Sequence, residues 1–173
     1  MIGIVDYGLS NIGSVVNAVN KFNQNCKIIT NPKNLNKIDK VILPGVGSFK
    51  KAVINLKKQN LFDPLKDFIL EKKKPFLGIC LGMQLLYKHS SEDGGSNGLG
   101  VINGKVKQLI SNKKFKVPNV GWREIDIVKK GILLDEFKDK AIFYFVHKFA
   151  CYSEKNTNTI AKLNYINEFD CII

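Results

Sequence analysis

One residue of this sequence stands where its chemistry can be used. Cys80 lies in Gly78-Ile79-Cys80-Leu81-Gly82, between the apolar run Pro75 to Ile79 and a second apolar run that opens at Leu81. A G-x-C-x-G pattern joining a strand to a helix is the thiol form of a nucleophile elbow. The sharp turn lifts the side chain above the sheet, and small residues two before and two after let neighbouring backbone approach. The pattern predicts a buried helix from Leu81 to Tyr87. Its first amides and positive dipole end would face the sulfur and lower the thiol pKa. The Leu81 amide can also donate to an oxyanion. A cysteine merely packed in a tight turn leaves the same pattern. The second glycine loop, Pro44-Gly45-Val46-Gly47, tips the balance toward chemistry. It follows another apolar run and brings backbone amides to the same sheet edge, where ligands of parallel sheets bind.

The frame that must hold these loops is legible as alternation. Ile2 to Asp6, Lys27 to Thr30, Lys40 to Leu43 and Pro75 to Ile79 read as strands. Pro75 to Ile79 is wholly apolar, as central parallel strands are. Asn11 can cap a helix with Ile12, Val15, Val16, Val19 and Phe22 on one face. Ser48 can cap another with Phe49, Ala52, Val53 and Leu56 inward. Asp63-Pro64 reads as a cap and first-turn proline before Leu65, Phe68 and Ile69. The second half reads as strands: Lys105 to Ile110, Trp122 to Val128, Ala141 to Tyr152, Thr159 to Tyr165 and Phe169 to Ile173. Strand–helix alternation followed by strands predicts an α/β fold with a mostly parallel central sheet and antiparallel additions.

Composition narrows the function classes. With 173 residues and 45% hydrophobic content, the chain can bury a core without metal or disulfide staples. The net charge of +12 invites a nucleic-acid reading. Yet Arg123 is the only arginine, and the lysines are scattered as in Lys50-Lys51, Lys57-Lys58 and Lys72-Lys73-Lys74. Bidentate nucleic-acid contacts recruit arginine, so no nucleic-acid partner is expected. The four cysteines form no CxxC or paired metal spacing. Cys26, Cys151 and Cys171 read as small buried hydrophobes. No apolar run is long enough to span a membrane, and the first residues lack a signal-peptide pattern, so a cytoplasmic location is the default.

Several stretches now combine: Ile4-Val5-Asp6-Tyr7-Gly8 with Asn11-Ile12, Leu43-Pro44-Gly45-Val46-Gly47-Ser48-Phe49, Gly78 through Leu86, Gly98-Leu99-Gly100, Val120-Gly121-Trp122 and Phe143-Tyr144-Phe145-Val146-His147. Together they resemble the class I (triad) glutamine amidotransferases, and within them the glutaminase subunits of imidazole glycerol phosphate synthases. The resemblance implies a flavodoxin-like three-layer α/β sandwich and a single domain over residues 1–173. It implies that Cys80 attacks the side-chain amide of glutamine, releases ammonia and forms a γ-glutamyl thioester. Val46, Gly47 and Leu81 would form the oxyanion hole, and Gly45, Gly47 and Gln84 would bind glutamine. Ammonia would pass to a (βα)8-barrel cyclase subunit in a heterodimer of histidine biosynthesis. Asn11, Asn119, Trp122 and Tyr144 would face that partner. No cofactor, metal or membrane enters.

The sequence also departs from the family pattern. The family carries its base and carboxylate in a motif resembling Q-F-H-P-E-K-S, and this sequence reaches Cys171-Ile172-Ile173 before it. The expectation is a domain incomplete at its C-terminus, without the last strand and helix. Loss of the base alone should cost on the order of 100- to 10,000-fold in turnover. His89 would lie about 13 Å from Cys80 along a helix rising ~1.5 Å per residue. His147 matches a family histidine that is not the base, and it reads as structural or interfacial. Asn119 and Arg123 replace a His and an Asn of the family, and Lys148 and Phe149 stand where it favours Ser or Thr and then Tyr. These changes also fit a paralogue serving surface-polysaccharide amidation, or a scaffold that binds a partner without releasing ammonia.

Overall fold

Strands and helices alternate through residues 1–101 as the spacing predicts. The computed structural model describes residues 1–137, 140–155 and 157–173. The chain divides into two compact units, residues 1–101 and 102–173. Among the described residues, no helix is long and apolar enough to cross a membrane.

The first unit is built on four parallel strands: β1 (Ile2–Val5), β2 (Cys26–Ile29), β3 (Lys40–Gly45) and β4 (Phe76–Cys80), in the order β2-β1-β3-β4. Helix α1 (Ile12–Lys21) starts where Asn11 accepts a bond from the Ser14 amide. Helix α2 (Phe49–Lys58) starts at Ser48, whose hydroxyl accepts from the Lys51 amide, and buries Phe49, Ala52, Val53 and Leu56. Such caps satisfy amides that the first turn leaves open. Helix α3 (Phe62–Leu70) departs from the expectation. It begins one residue before Asp63, with Leu61 at its cap position and no side-chain cap. Leu61 is wholly buried, so packing rather than capping fixes the start. Pro64 is tolerated because first-turn positions need no amide donor.

Two expectations about the segment around Cys80 are overturned. The helix from Leu81 is a single turn, α4 (Leu81–Gln84), and Tyr87–Ser90 is a strand, β5. Tertiary pairing wins over local apolar spacing here. The Leu99 amide donates to the Leu85 carbonyl at 2.7 Å and the Gly98 amide to the Lys88 carbonyl at 3.1 Å. The turn is completed by β6 (Ser96–Asn97), antiparallel to β5. Nor is β4 buried on both faces. It forms one edge of the four-stranded parallel sheet, and Leu77 and Ile79 remain 39% and 41% exposed.

The second unit is antiparallel. Its strands are β7 (Ile102–Gln108), β8 (Asn119–Ile127), β9 (Lys140–His147), β10 (Phe149–Ser153), β11 (Ala161–Tyr165) and β12 (Asn167–Ile172). They run in the order β7-β10-β12-β11-β8-β9. The single strand expected over Ala141 to Tyr152 is two, interrupted at Lys148. The antiparallel additions thus make a sheet of their own rather than a fringe on the parallel one. Its core holds Leu109, Ile125, Ala161, Leu163, Tyr165 and Phe169. The Tyr165 hydroxyl donates to the Lys116 carbonyl at 2.6 Å, so its polar tip is satisfied.

Candidate active site

Cys80 ends β4 with φ 53° and ψ −110°, a backbone state that a side-chain-bearing residue reaches only under strain. Such strain costs on the order of 1–3 kcal/mol and persists where the surroundings enforce it. They do so through two glycines. A Cβ on Gly82 would overlap the Leu43 carbonyl oxygen, and one on Gly78 would lie 2.6 Å from the Gly82 carbonyl oxygen. The turn is therefore pressed against β3 so tightly that only glycine fits on either side of the cysteine.

The electrostatics differ from the expectation. Burial pushes the Cys80 thiol above its ordinary value, and the Leu81 N–H bonded to the sulfur opposes that shift without cancelling it. A one-turn helix has too few aligned peptides to supply the dipole that a long helix would. The sulfur's immediate shell is crowded even though the residue as a whole is exposed. Among the other cysteines, Cys151 is buried, and burial followed by the Asp170 carboxylate pushes Cys171 up to about 12. Cys26 and Cys171 are partly exposed rather than buried.

The glycine loop lies beside this turn. Gly45 is the direct register partner of Cys80 across β3 and β4. Gly47 has φ 98° and open space at its Cβ position. The Val46 amide donates to the Leu9 carbonyl at 2.8 Å in this structure. Gln84 is the last residue of α4, four after Cys80.

Three residues near the loop were not singled out by sequence reasoning. The Phe49 amide donates to the Glu92 carboxylate at 2.7 Å, and the Ser48 hydroxyl to the Asp93 carboxylate at 2.5 Å. Two acidic side chains thus tie the start of α2, and with it the loop before it, to the turn after β5. In the sequence, Ser91-Glu92-Asp93-Gly94-Gly95 reads only as a polar turn. The third is Tyr7, whose side chain is wholly buried with its hydroxyl against Gly45.

His89 is not on a helix as the sequence suggests. His89 sits on β5 rather than a helix, with Nδ1 on the Asn97 side-chain oxygen at 3.1 Å. His147 belongs to the second unit. Its Nδ1 is 2.9 Å from the Phe149 carbonyl and its Nε2 is 3.0 Å from the Asn119 amide nitrogen. Both ring nitrogens are engaged, as the structural reading expects. Burial holds its pKa below the ordinary value, and the Phe149 carbonyl opposes this.

The expected partner-facing residues split. Asn119 is wholly buried and cannot itself touch a partner. Its carbonyl oxygen accepts from Arg123 Nε at 3.1 Å, which completes a chain to His147. Trp122 and Tyr144 are 68% and 55% exposed and stand directly opposite each other on β8 and β9. Their rings meet edge to face at 5.6 Å. Val120, Val146 and Ile142 extend the same exposed apolar face. Asn11, in the first unit, is exposed and serves as the α1 cap. Among the described residues, no group of three or more His, Cys, Asp or Glu side chains could hold a metal.

Comparison with known proteins bears on this arrangement. The sequence model of the family "Glutamine amidotransferase class-I" matches residues 3–173. Imidazole glycerol phosphate synthase subunit HisH 2 of Methanococcus maripaludis is 41% identical over 169 residues, which are 98% of this chain and 83% of that protein. Subunit HisH 1 of Campylobacter jejuni is 45% identical over 149 residues, 86% of this chain and 74% of its own length. A crystal structure of a glutamine amidotransferase superposes with a TM-score of 0.69 at 15% identity, covering 94% of this chain and 79% of the other, which speaks to fold alone.

Proposed function

We infer the function of this chain from one premise: it belongs to the class I glutamine amidotransferase family. It is an enzyme that hydrolyses glutamine, the glutaminase subunit of imidazole glycerol phosphate synthase in histidine biosynthesis. Its relatives are named as subunits, so a second, cyclase subunit receives the ammonia. The relatives do not bear out the sugar-amidation and inactive-scaffold readings. We read residues 1–173 as a single amidotransferase domain that comprises both units, consistent with the reach of the family match.

The residue assignments are our proposal, and the observation that carries them is the strained, glycine-enforced turn that sets Cys80 beside the Leu81 amide. The Cys80 sulfur attacks the carbonyl carbon of the glutamine side chain. A C–S bond forms, the carbonyl electrons move onto oxygen, and the C–N bond then breaks as the nitrogen takes a proton and leaves as ammonia. Water cleaves the thioester, giving glutamate and restoring the thiol. Leu81 and Gly47 amides are the oxyanion donors that fit, each able to stabilise charge that develops only in the transition state. Gly45, Gly47 and Gln84 line the glutamine side of the turn. Because burial raises the thiol pKa, Cys80 is mostly protonated near neutrality and needs a general base to become nucleophilic. Trp122 and Tyr144 anchor the cyclase subunit, which we take to be a (βα)8 barrel, and Asn11 adds to that contact. Asn119 supports this face from behind.

The test is glutamine-dependent ammonia release, measured in the presence of the cyclase subunit. Cys80→Ala should lower it at least roughly a thousandfold, as loss of a covalent nucleophile does. Unchanged release from the Cys80→Ala variant would remove Cys80 from the mechanism.

A further inference from the structure

Tyr7 leaves β1 and crosses toward β3, and its hydroxyl occupies the space a Cβ on Gly45 would fill. That places the phenol oxygen beside the register partner of Cys80, one strand from the nucleophile. Neighbouring strands lie about 4.8 Å apart. The same Gly45 Cβ position is 3.0 Å from the Leu81 Cβ, so the hydroxyl sits in the shell that supports the turn. Tyr7 is 0% exposed, and its hydroxyl has no hydrogen-bond partner among the described residues. A buried, unpaired hydroxyl costs on the order of 1–3 kcal/mol, whereas a phenylalanine there would cost nothing of the kind. Its main chain is held in place: the Tyr7 carbonyl accepts from the Asn55 side chain at 2.9 Å. Asp6 is turned away, its carboxylate accepting from the Gly8 amide at 2.9 Å.

We propose that Tyr7 is a positioning residue for the nucleophile, its hydroxyl serving as the donor that stabilises the Cys80 sulfur once the thiol has lost its proton. With the thiol protonated, the hydroxyl has nothing to donate to. Ionisation creates a strong acceptor one strand away, and the hydroxyl turns to it. The thiol proton leaves to the general base, and Tyr7 keeps its own. Burial, and then the charge on Cys80, push the phenol well above its ordinary range, so it remains a donor at any pH where the thiolate exists. Two groups act on the sulfur directly: the Leu81 N–H, which bonds it, and Tyr7 from the β1 side. Helix α4 carries no titratable side chain, and the one on β3, Lys40, stands at the opposite end of that strand from Gly45.

The proposal rests on reading Cys80 as the nucleophile, and its test is separable from that reading. In the full chain, the rate at which iodoacetamide alkylates Cys80 is followed by peptide mass mapping from pH 6 to 10. Tyr7→Phe should move the rising limb to higher pH and slow alkylation about three- to tenfold at pH 8, as loss of one donor to the charged form does. Tyr7→Met, which fills the space without a hydroxyl, should do the same. Neither should lower the urea midpoint, which separates a donor's role from a merely structural one. A profile unchanged within twofold in both variants, or a shift that follows a loss of stability, overturns the proposal. If instead a glutamine analogue carrying an electrophile fails to label Cys80 while the profile still shifts, the amidotransferase assignment of Cys80 fails and the Tyr7 effect stands.

Discussion

At Cys80 the backbone is strained, an adjacent tyrosine hydroxyl is buried without a partner, and the thiol pKa is pushed up by its surroundings. Around Asn119, in the other unit, the polar atoms are matched one to one. Arg123 donates to Asn119, Asn119 bonds to His147, and His147 bonds to the Phe149 carbonyl, at 3.1, 3.0 and 2.9 Å. The contact with Arg123 fixes the Asn119 oxygen, so its amide nitrogen faces His147 Nε2, which must accept. His147 Nδ1 then carries the proton. The difference separates two uses of polarity. On the proposed mechanism the Cys80 turn gains a charge and a covalent bond, and its unsatisfied groups stand ready for them. The network behind the face we propose for docking must hold one shape, and full pairing gives that rigidity.

The largest expected effect breaks the first side of this contrast. Gly82→Ala puts a methyl group into the Leu43 carbonyl oxygen, and backbone cannot yield as a flexible side chain does. It should cost more than about 3 kcal/mol or prevent folding, read as the urea midpoint or as soluble yield. A variant that folds with wild-type stability would show that the turn is not as tightly pressed against β3 as drawn. Next comes the exposed face of the second unit. Trp122→Ala removes the largest exposed ring there, so folding stability should change little. Affinity for the cyclase subunit should fall by about 2 kcal/mol, near thirtyfold in Kd by titration calorimetry. Equal affinity would move the docking face elsewhere.

The same contrast explains what the sequence reveals. The elbow is legible because the two glycines its close packing requires, Gly78 and Gly82, flank Cys80 at a fixed short spacing. Ser48 and Asn11 are legible as caps for the same reason. The length of α4 is not local. It ends at Gln84 because residues 98–100 pair with the chain after it, and no spacing within Leu81 to Tyr87 encodes that. Tyr7 and Glu92 escape notice because each acts across the fold, on Gly45 and on the Phe49 amide. The bond from the Val46 amide to Leu9 is equally non-local, and the glycine motif around Val46 does not encode it. The resemblance points Asn119 toward a partner by position alone, yet its burial follows from strand alternation. Val120, Trp122, Glu124 and Asp126 all face outward, which turns Asn119 inward with Ile125.

A smaller effect probes the matched network. Asn119→Ala deprives Arg123 and His147 of a shared partner in a buried place, which should lower stability by about 1–2 kcal/mol in urea unfolding. Asn119→Asp should do worse than its size suggests. It keeps the acceptor for Arg123 but offers no donor to His147 Nε2 unless His147 takes up a proton.

The smallest effect is the pH dependence of that same histidine. Burial lowers the His147 pKa in the folded chain, so the folded state binds its proton less readily than the unfolded chain, where the value is near 6.5. The stability it permits is therefore fully present above that pH and declines as pH falls through and below it. The network supplies the structural reason. A proton on Nε2 would face the Asn119 amide hydrogens, and Asn119 cannot flip without abandoning Arg123. Trp122 is the chain's only tryptophan and sits on β8, so its fluorescence reports this unit. The urea midpoint followed at Trp122 should drop modestly between pH 7.5 and pH 5.5, and His147→Gln should flatten that slope. An equal slope in the His147→Gln variant would mean that other groups govern the acid limb and that the network tolerates a charged imidazole.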